Sequence, residues 1–199
     1  MKFHNIDQNS DEWLSLRLGK FTASTFSDIF MAKTTKGYQN AIIKVAFERV
    51  TGESQESYSN KWMKRGHEME PFARDNYELL TFNTLENGGF YEYSDFIGAS
   101  PDAKIEGENA GCEFKCPSFQ VYNEYLTTNK LPKNYYWQIH GQLLCTGWDY
   151  IHYMPFLSSK LKQILIPVER DEAVIDQLKN QLNESIEEVK QLIERIRNE

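Results

Sequence analysis

No stretch of this chain is apolar for anything close to the roughly 18 residues that a membrane span needs. Cysteine is scarce, with three residues at 112, 116 and 145. Without a fourth thiol, an iron–sulfur cluster or a closed zinc site is disfavoured. Cys112, Cys116 and Cys145 read as structural thiols suited to a reducing cytoplasm. Low-complexity tracts, internal repeats and linkers are missing as well, so residues 1–199 read as a single domain. Met1 to Asp11 is polar and acidic, unlike a signal peptide. An excess of basic charge is lacking too: 22 Lys and Arg face 29 Asp and Glu, a net charge of −7. Proteins that bind nucleic acid usually carry a basic footprint, so the overall balance counts against that class. The local clusters Lys33–Lys36 and Lys61–Arg65 are the exceptions, and an acidic C-terminal helix adds to the total.

What the chain does have is enough apolar and aromatic material for a core, at 40% hydrophobic and 14% aromatic. Apolar spacing predicts helices over 11–18, from Thr22 through Phe30, and over 38–50, 61–80, 118–127 and 133–146. Within 61–80, Phe72, Ala73, Leu79 and Leu80 are expected to face inward, and Pro71 predicts a kink or a restart near His67. Strands are predicted at 89–93, 96–99, 111–116, 151–156 and 163–168. From 171 to 198, Ile175, Leu178, Leu182, Ile186, Val189, Ile193 and Ile196 recur at steps of three and four, the stripe of a long amphipathic helix. Such a stripe covers its own domain's core or, in its distal turns, meets a partner. This order gives an α/β domain with a mixed central sheet flanked by helices.

The most informative stretch runs from Ser100 to Lys115: Ser-Pro-Asp, ten residues, then Glu-Phe-Lys. On a strand over 112–116, Glu113 and Lys115 share one face while Cys112, Phe114 and Cys116 point into the core. Asp102 then joins them where the strand meets its preceding loop. Two carboxylates supply hard oxygen donors for a divalent cation, and a lysine polarises a water or steadies a phosphate. The combination suits metal-assisted phosphodiester hydrolysis. A lone Glu-x-Lys reads more readily as a surface acid–base pair on a hairpin, so the remainder of the chain has to decide.

Three other features bear on the decision. Arg17 precedes a helix start at Thr22-Ala23-Ser24; a guanidinium beside free helical N–H groups suits a terminal phosphate, although a simple helix cap and a surface arginine fit as well. Glu68 and Glu70 lie beside Pro71, within reach of a metal or merely solvated. Gln138 and Gln142 share a helix face at i, i+4, either aimed into a cleft or on the surface. His67, His140 and His152 show no ligand spacing and read as structural.

With these segments in order, the chain resembles the phage lambda exonuclease and YqaJ-type viral recombinase family of PD-(D/E)xK nucleases. The resemblance rests on Asp11-Glu12-Trp13, Arg17-Leu18-Gly19 and Thr22-Ala23-Ser24, on Gly66-His-Glu-Met-Glu70, and on Ser100-Pro-Asp102 and Glu113-Phe-Lys-Cys-Pro117. Gln138 and Glu169-Arg-Asp-Glu172 also fall in the expected order. It implies a restriction-endonuclease-like fold and a 5′→3′ exonuclease on duplex DNA ends, which releases mononucleotides and leaves 3′ overhangs for a single-strand-annealing recombinase. Asp102, Glu113, Glu70 and the Phe114 carbonyl then correspond to ligands of two Mg²⁺ ions, with Mn²⁺ as a substitute. Lys115 corresponds to the catalytic lysine, and Gln138 to a glutamine near the active site. Arg17, Thr22 and Ser24 correspond to the 5′-phosphate pocket, and Trp62 or Met63 to a strand-separating wedge. The resemblance also implies a ring-shaped homotrimer, no membrane, and the cytoplasm of a bacterium or phage-infected host. The chain departs from the pattern after Gln138, where His140 stands in the place of a second glutamine and Gln142 follows one turn later. The loop at Lys33–Lys36 is shorter than the resemblance implies.

Overall fold

The computed structural model describes residues 1–54 and 61–198, with the side chains of residues 61–63 outside that description. In chain order the elements are β1 (Lys2–His4), α1 (Asp11–Arg17), β2 (Phe21–Thr22), a 3-10 turn (Ala23–Thr25), α2 (Phe26–Ile29), α3 (Lys36–Thr51) and α4 (Lys61–Thr81). Then come β3 (Leu85–Asn87), β4 (Phe90–Ser94), β5 (Ile97–Ala99), β6 (Ala103–Ile105) and β7 (Ala110–Lys115). The chain ends with α5 (Phe119–Thr128), α6 (Lys133–Thr146), β8 (Tyr150–Pro155), β9 (Ile166–Glu169) and α7 (Glu172–Asn198).

The expected mixed sheet between helices is present, divided into two sheets. One has the order β1-β4-β5-β2, with β2 parallel to β5 and the other pairs antiparallel. The second has the order β3-β6-β7-β8-β9 and is antiparallel except between β7 and β8. β7 lies at its centre, paired along its whole length with β8, Ala110 opposite Tyr150 through Lys115 opposite Pro155. A central strand buried on both faces is the most rigid seat a sheet offers for a side chain, because both edges are hydrogen-bonded.

Helix α6 packs on the 3-10 turn and α2, and every residue from Ile139 to Thr146 is buried. Gly141 makes that approach possible: a β-carbon there would stand 2.4 Å from Phe26 Cδ2 and 3.2 Å from Ala23 Cβ. The turn that carries Ser24 is thereby pressed against the helix that carries Gln138 and Gln142. The α7 stripe covers the chain's own core. Ile175, Leu178, Leu182, Ile186 and Val189 are buried, Ile193 and Ile196 pack partly buried against the same cluster, and α7 lies against α3 and α6. Each of the five buried side chains contributes about 1.5–3 kcal/mol by leaving water.

Helix α4 corrects two expectations. It continues through Pro71 without restarting. Its inward face is Met69, Ala73 and Tyr77, spaced four apart, while Phe72, Leu79 and Leu80 are exposed. Burial of Tyr77 rather than a leucine depends on its hydroxyl, which pairs with His152 Nδ1 at 2.8 Å. The predicted helix start at Thr22 is also revised: Thr22 ends a short strand, its side chain accepts no capping hydrogen bond, and a 3-10 turn over Ala23–Thr25 precedes the helix. The last strand lies at Ile166–Glu169 rather than over 163–168.

Candidate active site

β7 alternates as its sequence predicts through Lys115, with both of its faces covered, but Cys116 falls past its end and is half-buried beside the cavity rather than in the core. Glu113 is only 1% exposed, and Lys115 retains a quarter of its side-chain surface. A carboxylate in such a place needs hydrogen bonds to every lone pair it keeps from water. Glu113 Oε1 accepts from Lys115 Nζ in a short contact and from Gln138 Nε2 at 2.5 Å; Oε2 accepts from Gln142 Nε2 at 2.6 Å. The i, i+4 pair of glutamines on α6 therefore serves one carboxylate, one amide to each oxygen. His140 points elsewhere, buried against Tyr136 with ring centroids 4.4 Å apart. The second polar contact falls to Gln142.

Asp102 comes from the loop between β5 and β6. Its Oδ2 accepts the Phe114 N–H at 2.7 Å, and its backbone carbonyl accepts from Arg74 at 2.6 Å. Gln8 donates to the neighbouring Pro101 carbonyl at 3.2 Å. Gly88 lets this loop sit close to β3 and β4, since a β-carbon there would fall 1.9 Å from the Pro101 carbonyl oxygen. Glu70, on α4, completes the acidic group, and a cavity of about 490 Å³ is lined by Glu70, Asp102, Glu113, Phe114, Lys115, Gln138 and Gln142 together.

The electrostatics follow from that crowding. Burial and the Glu113 charge push Asp102 well above the usual carboxylate range, with Lys115 and the Phe114 N–H opposing. Burial raises Glu70 also; Arg74 opposes this and Glu113 reinforces it. For Lys115, burial pulls downward, but the carboxylates of Glu113 and Asp102 outweigh it and hold the ammonium above its usual range. Among the described residues, no three acid, histidine or cysteine side chains stand together as a ready-made metal cluster. The oxygens of Glu113 are taken by the lysine and glutamine contacts just described, and those of Asp102 by the Phe114 N–H and, at 3.5 Å, Gln8 Nε2.

Arg17 and Ser24 line the same cavity. The Arg17 guanidinium lies 4.1 Å from the Trp13 ring centroid and donates to Thr22 Oγ1 at 3.3 Å; Thr22 Oγ1 and Ser24 Oγ are 3.3 Å apart. Arg17 has no ion pair among the described residues, and burial lowers its pKa to about 10, with Glu48 opposing. A desolvated guanidinium beside two hydroxyls is a receptor for an anion. Trp62 and Met63 belong to the side chains outside the described residues.

Sequence reasoning overlooked Gln8, Trp13 and Ser100, all of which line the cavity. Trp13 had a signal, standing four residues before Arg17 on a helix and so on the same face. Ser100 had one in its place two residues before Asp102. Gln8 had none.

Residues 12–149 match the YqaJ-like viral recombinase domain. The chain belongs to this family. Among solved structures, the YqaJ-like chain is similar to an alkaline exonuclease from Laribacter hongkongensis, at 28% identity and a TM-score of 0.86, covering 95% of this chain and 97% of that one. The same exonuclease in complex with dAMP matches equally well. A phage-related exonuclease from Haemophilus somnus shares the fold at 16% identity and a TM-score of 0.68, over 89% of this chain and 96% of that one. No curated protein is similar enough to match. Family and neighbours place the chain among nucleases and recombination enzymes of DNA. No helix among the described residues is long and apolar enough to cross a membrane.

Proposed function

We propose that this YqaJ-like domain is a divalent-metal-dependent 5′→3′ exonuclease. It degrades one strand of linear duplex DNA from 5′-phosphorylated ends to mononucleotides and leaves 3′ overhangs for a single-strand-annealing recombinase. The observation that carries the reading is a single cavity lined by an unpaired guanidinium with a neighbouring hydroxyl and by three carboxylates with an ammonium. The Laribacter exonuclease, whose complex with dAMP holds a deoxynucleoside monophosphate, supports a mononucleotide product.

The donor set fits Mg²⁺. Asp102, Glu113 and Glu70 offer hard oxygens, and the Phe114 carbonyl completes the set. Burial and mutual repulsion raise Asp102 and Glu70, a cost that a divalent cation relieves. A pair of such ions, or Mn²⁺ in their place, would supply Lewis-acid polarisation of the scissile phosphate and a nucleophile at neutral pH. The chain's own groups do the rest. Arg17, with Thr22 and Ser24, holds the terminal 5′ phosphate, so the cut falls one nucleotide in. Lys115, whose ammonium Glu113 and Asp102 hold above its usual range in the metal-free site, is placed to hydrogen-bond the attacking water or a phosphate oxygen. Gln138 and Gln142 fix the plane of the Glu113 carboxylate. A closed homotrimeric ring in the cytoplasm of a bacterium or phage-infected host would keep the duplex threaded between cuts.

The test is a 5′-labelled linear duplex incubated with and without Mg²⁺. Metal-dependent release of labelled mononucleotide is expected. Cleavage of a covalently closed circle would instead mean an endonuclease of the same fold, and DNA retained uncut would mean an end-binding scaffold.

A further inference from the structure

Helix α1 carries Arg17 in its last turn, and its inner residues, Trp13, Leu16 and Arg17, are only half-buried. Apolar burial therefore does little to fix the guanidinium relative to the carboxylates. A polar relay does it instead. The Trp13 ring holds Arg17 by a cation–π contact, and the Trp13 indole N–H donates to Ser100 Oγ at 2.8 Å. Ser100 in turn donates to the Gly89 carbonyl at 2.6 Å. The directions are forced, because an indole nitrogen only donates, so the serine must accept there and spend its one hydrogen on Gly89. Ser100 stands two residues before Asp102, whose carboxylate is itself fixed by the Phe114 N–H on β7. An unbroken chain of contacts thus joins the guanidinium to the central strand.

We propose that Trp13 is the positioning residue of end recognition: its ring orients Arg17, and its N–H ties that ring to the Asp102 loop, so one rigid side chain sets the spacing between the 5′-phosphate anchor and the cleavage carboxylates. This rests on the exonuclease reading above and adds to it the element that counts off one nucleotide. Trp13 touches no reacting atom in this account. It acts through Arg17 and Ser100. A side chain with two stiff torsions and a hydrogen bond at its far end is suited to such a ruler, since little freedom remains once both contacts form.

The experiment compares hydrolysis of 5′-phosphorylated and 5′-hydroxyl duplexes and sizes the products by gel, for the full chain and for Trp13→Ala, Trp13→Phe, Arg17→Ala and the Arg17→Ala/Trp13→Ala double variant. Wild type should prefer the phosphorylated end and release mononucleotides. Trp13→Ala should lower that preference about tenfold, the scale of a partly desolvated cation–π contact, and release dinucleotides as well. In the Arg17→Ala background the same change should leave the ratio where it is, because the partner it orients is gone. Trp13→Phe keeps a ring but not the N–H, so its preference should stay within about threefold of wild type while dinucleotides appear. An unchanged ratio with mononucleotides alone in Trp13→Ala overturns the inference. So does an equal loss on both ends in both backgrounds, which would mark a merely structural tryptophan. If Trp13→Ala fails to fold, Trp13→Phe decides: mononucleotides only would overturn it. A wild-type chain that releases no nucleotide overturns the exonuclease reading itself.

Discussion

Replacing Lys115 with methionine keeps an unbranched side chain one atom shorter and removes its charge, leaving Glu113 with two amides and no cation. Breaking a buried ion pair by deleting one partner costs about 3–5 kcal/mol. Lys115 keeps 25% of its side-chain surface in water, so screening reduces the figure to roughly 2 kcal/mol. For a chain of 199 residues, each kcal/mol moves the midpoint by about 2–4 °C, which gives a fall of roughly 4–8 °C in metal-free buffer. Saturating Mg²⁺ should shrink that fall, because the cation would neutralise the same carboxylates that the ammonium served. Turnover should drop by about 10²- to 10⁴-fold, the range for a lost proton donor at a reacting centre, while binding to DNA ends is retained. Thermal melts of both proteins in EDTA and in Mg²⁺, with end binding and nucleotide release measured in parallel, check all three. An equal fall with and without Mg²⁺ would refute the claim that lysine and metal share these carboxylates, and normal turnover would remove the lysine from the mechanism.

Arg17→Ala should bring hydrolysis of 5′-phosphorylated ends down to the rate on 5′-hydroxyl ends; a preserved ratio would put the phosphate pocket elsewhere. The Asp102 and Glu70 carboxyls sit above their ordinary range, pushed there by burial, with Glu113 adding to it. The metal-free folded state therefore holds more protons than the unfolded one above the usual carboxylate range, and its stability is lost as pH rises through the raised values. Asp102→Asn should accordingly gain on wild type in denaturant melts as the pH of an EDTA buffer is raised, and a pH-independent difference would contradict this. Gly88→Ala would drive a β-carbon into the Pro101 carbonyl. It should cost about 1–3 kcal/mol in stability and, by shifting the Asp102 loop, reduce turnover by as much as about 10²-fold, read from melts and single-turnover rates.

The parts of this fold legible from sequence are those whose pattern is local. β7 alternates, α7 repeats its apolar residue every three or four positions, and the i, i+4 glutamines on α6 must share a face. β1, β2, β3 and β6 were not legible, because two or three residues are too few to show a period and their pairing is set by partners far along the chain. The inward face of α4 was misread for a related reason. Ala73 is inward as expected and Phe72, Leu79 and Leu80 look like core, but the second cluster takes Met69 and Tyr77 beside Ala73, and His152 satisfies the tyrosine hydroxyl that sequence alone leaves unaccounted for. In the site, the acids and the lysine were readable from Ser-Pro-Asp and Glu-x-Lys. Their supports were not, since Gln8 and Ser100 act through backbone carbonyls and a single indole hydrogen.

A chain of net charge −7 that works on DNA is less contradictory once the partners of each charge are known. Glu113 is satisfied by one ammonium and two neutral amides. Arg74 reaches the site but spends its donors on the carbonyls of Asp102 and Glu86, while Arg17 is held by one hydrogen bond to Thr22 and by the Trp13 ring. The cavity therefore keeps more carboxylate than cation, and the two cations lining it, Arg17 and Lys115, are tied in by different partners. Had α6 offered arginines in place of Gln138 and Gln142, the carboxylate would be equally well satisfied and the attraction for a divalent cation would be gone. The neutral amides hold the geometry without discharging it. The acidity that counts against nucleic acid across the surface is, inside this cavity, what the proposed metal-assisted cleavage would need.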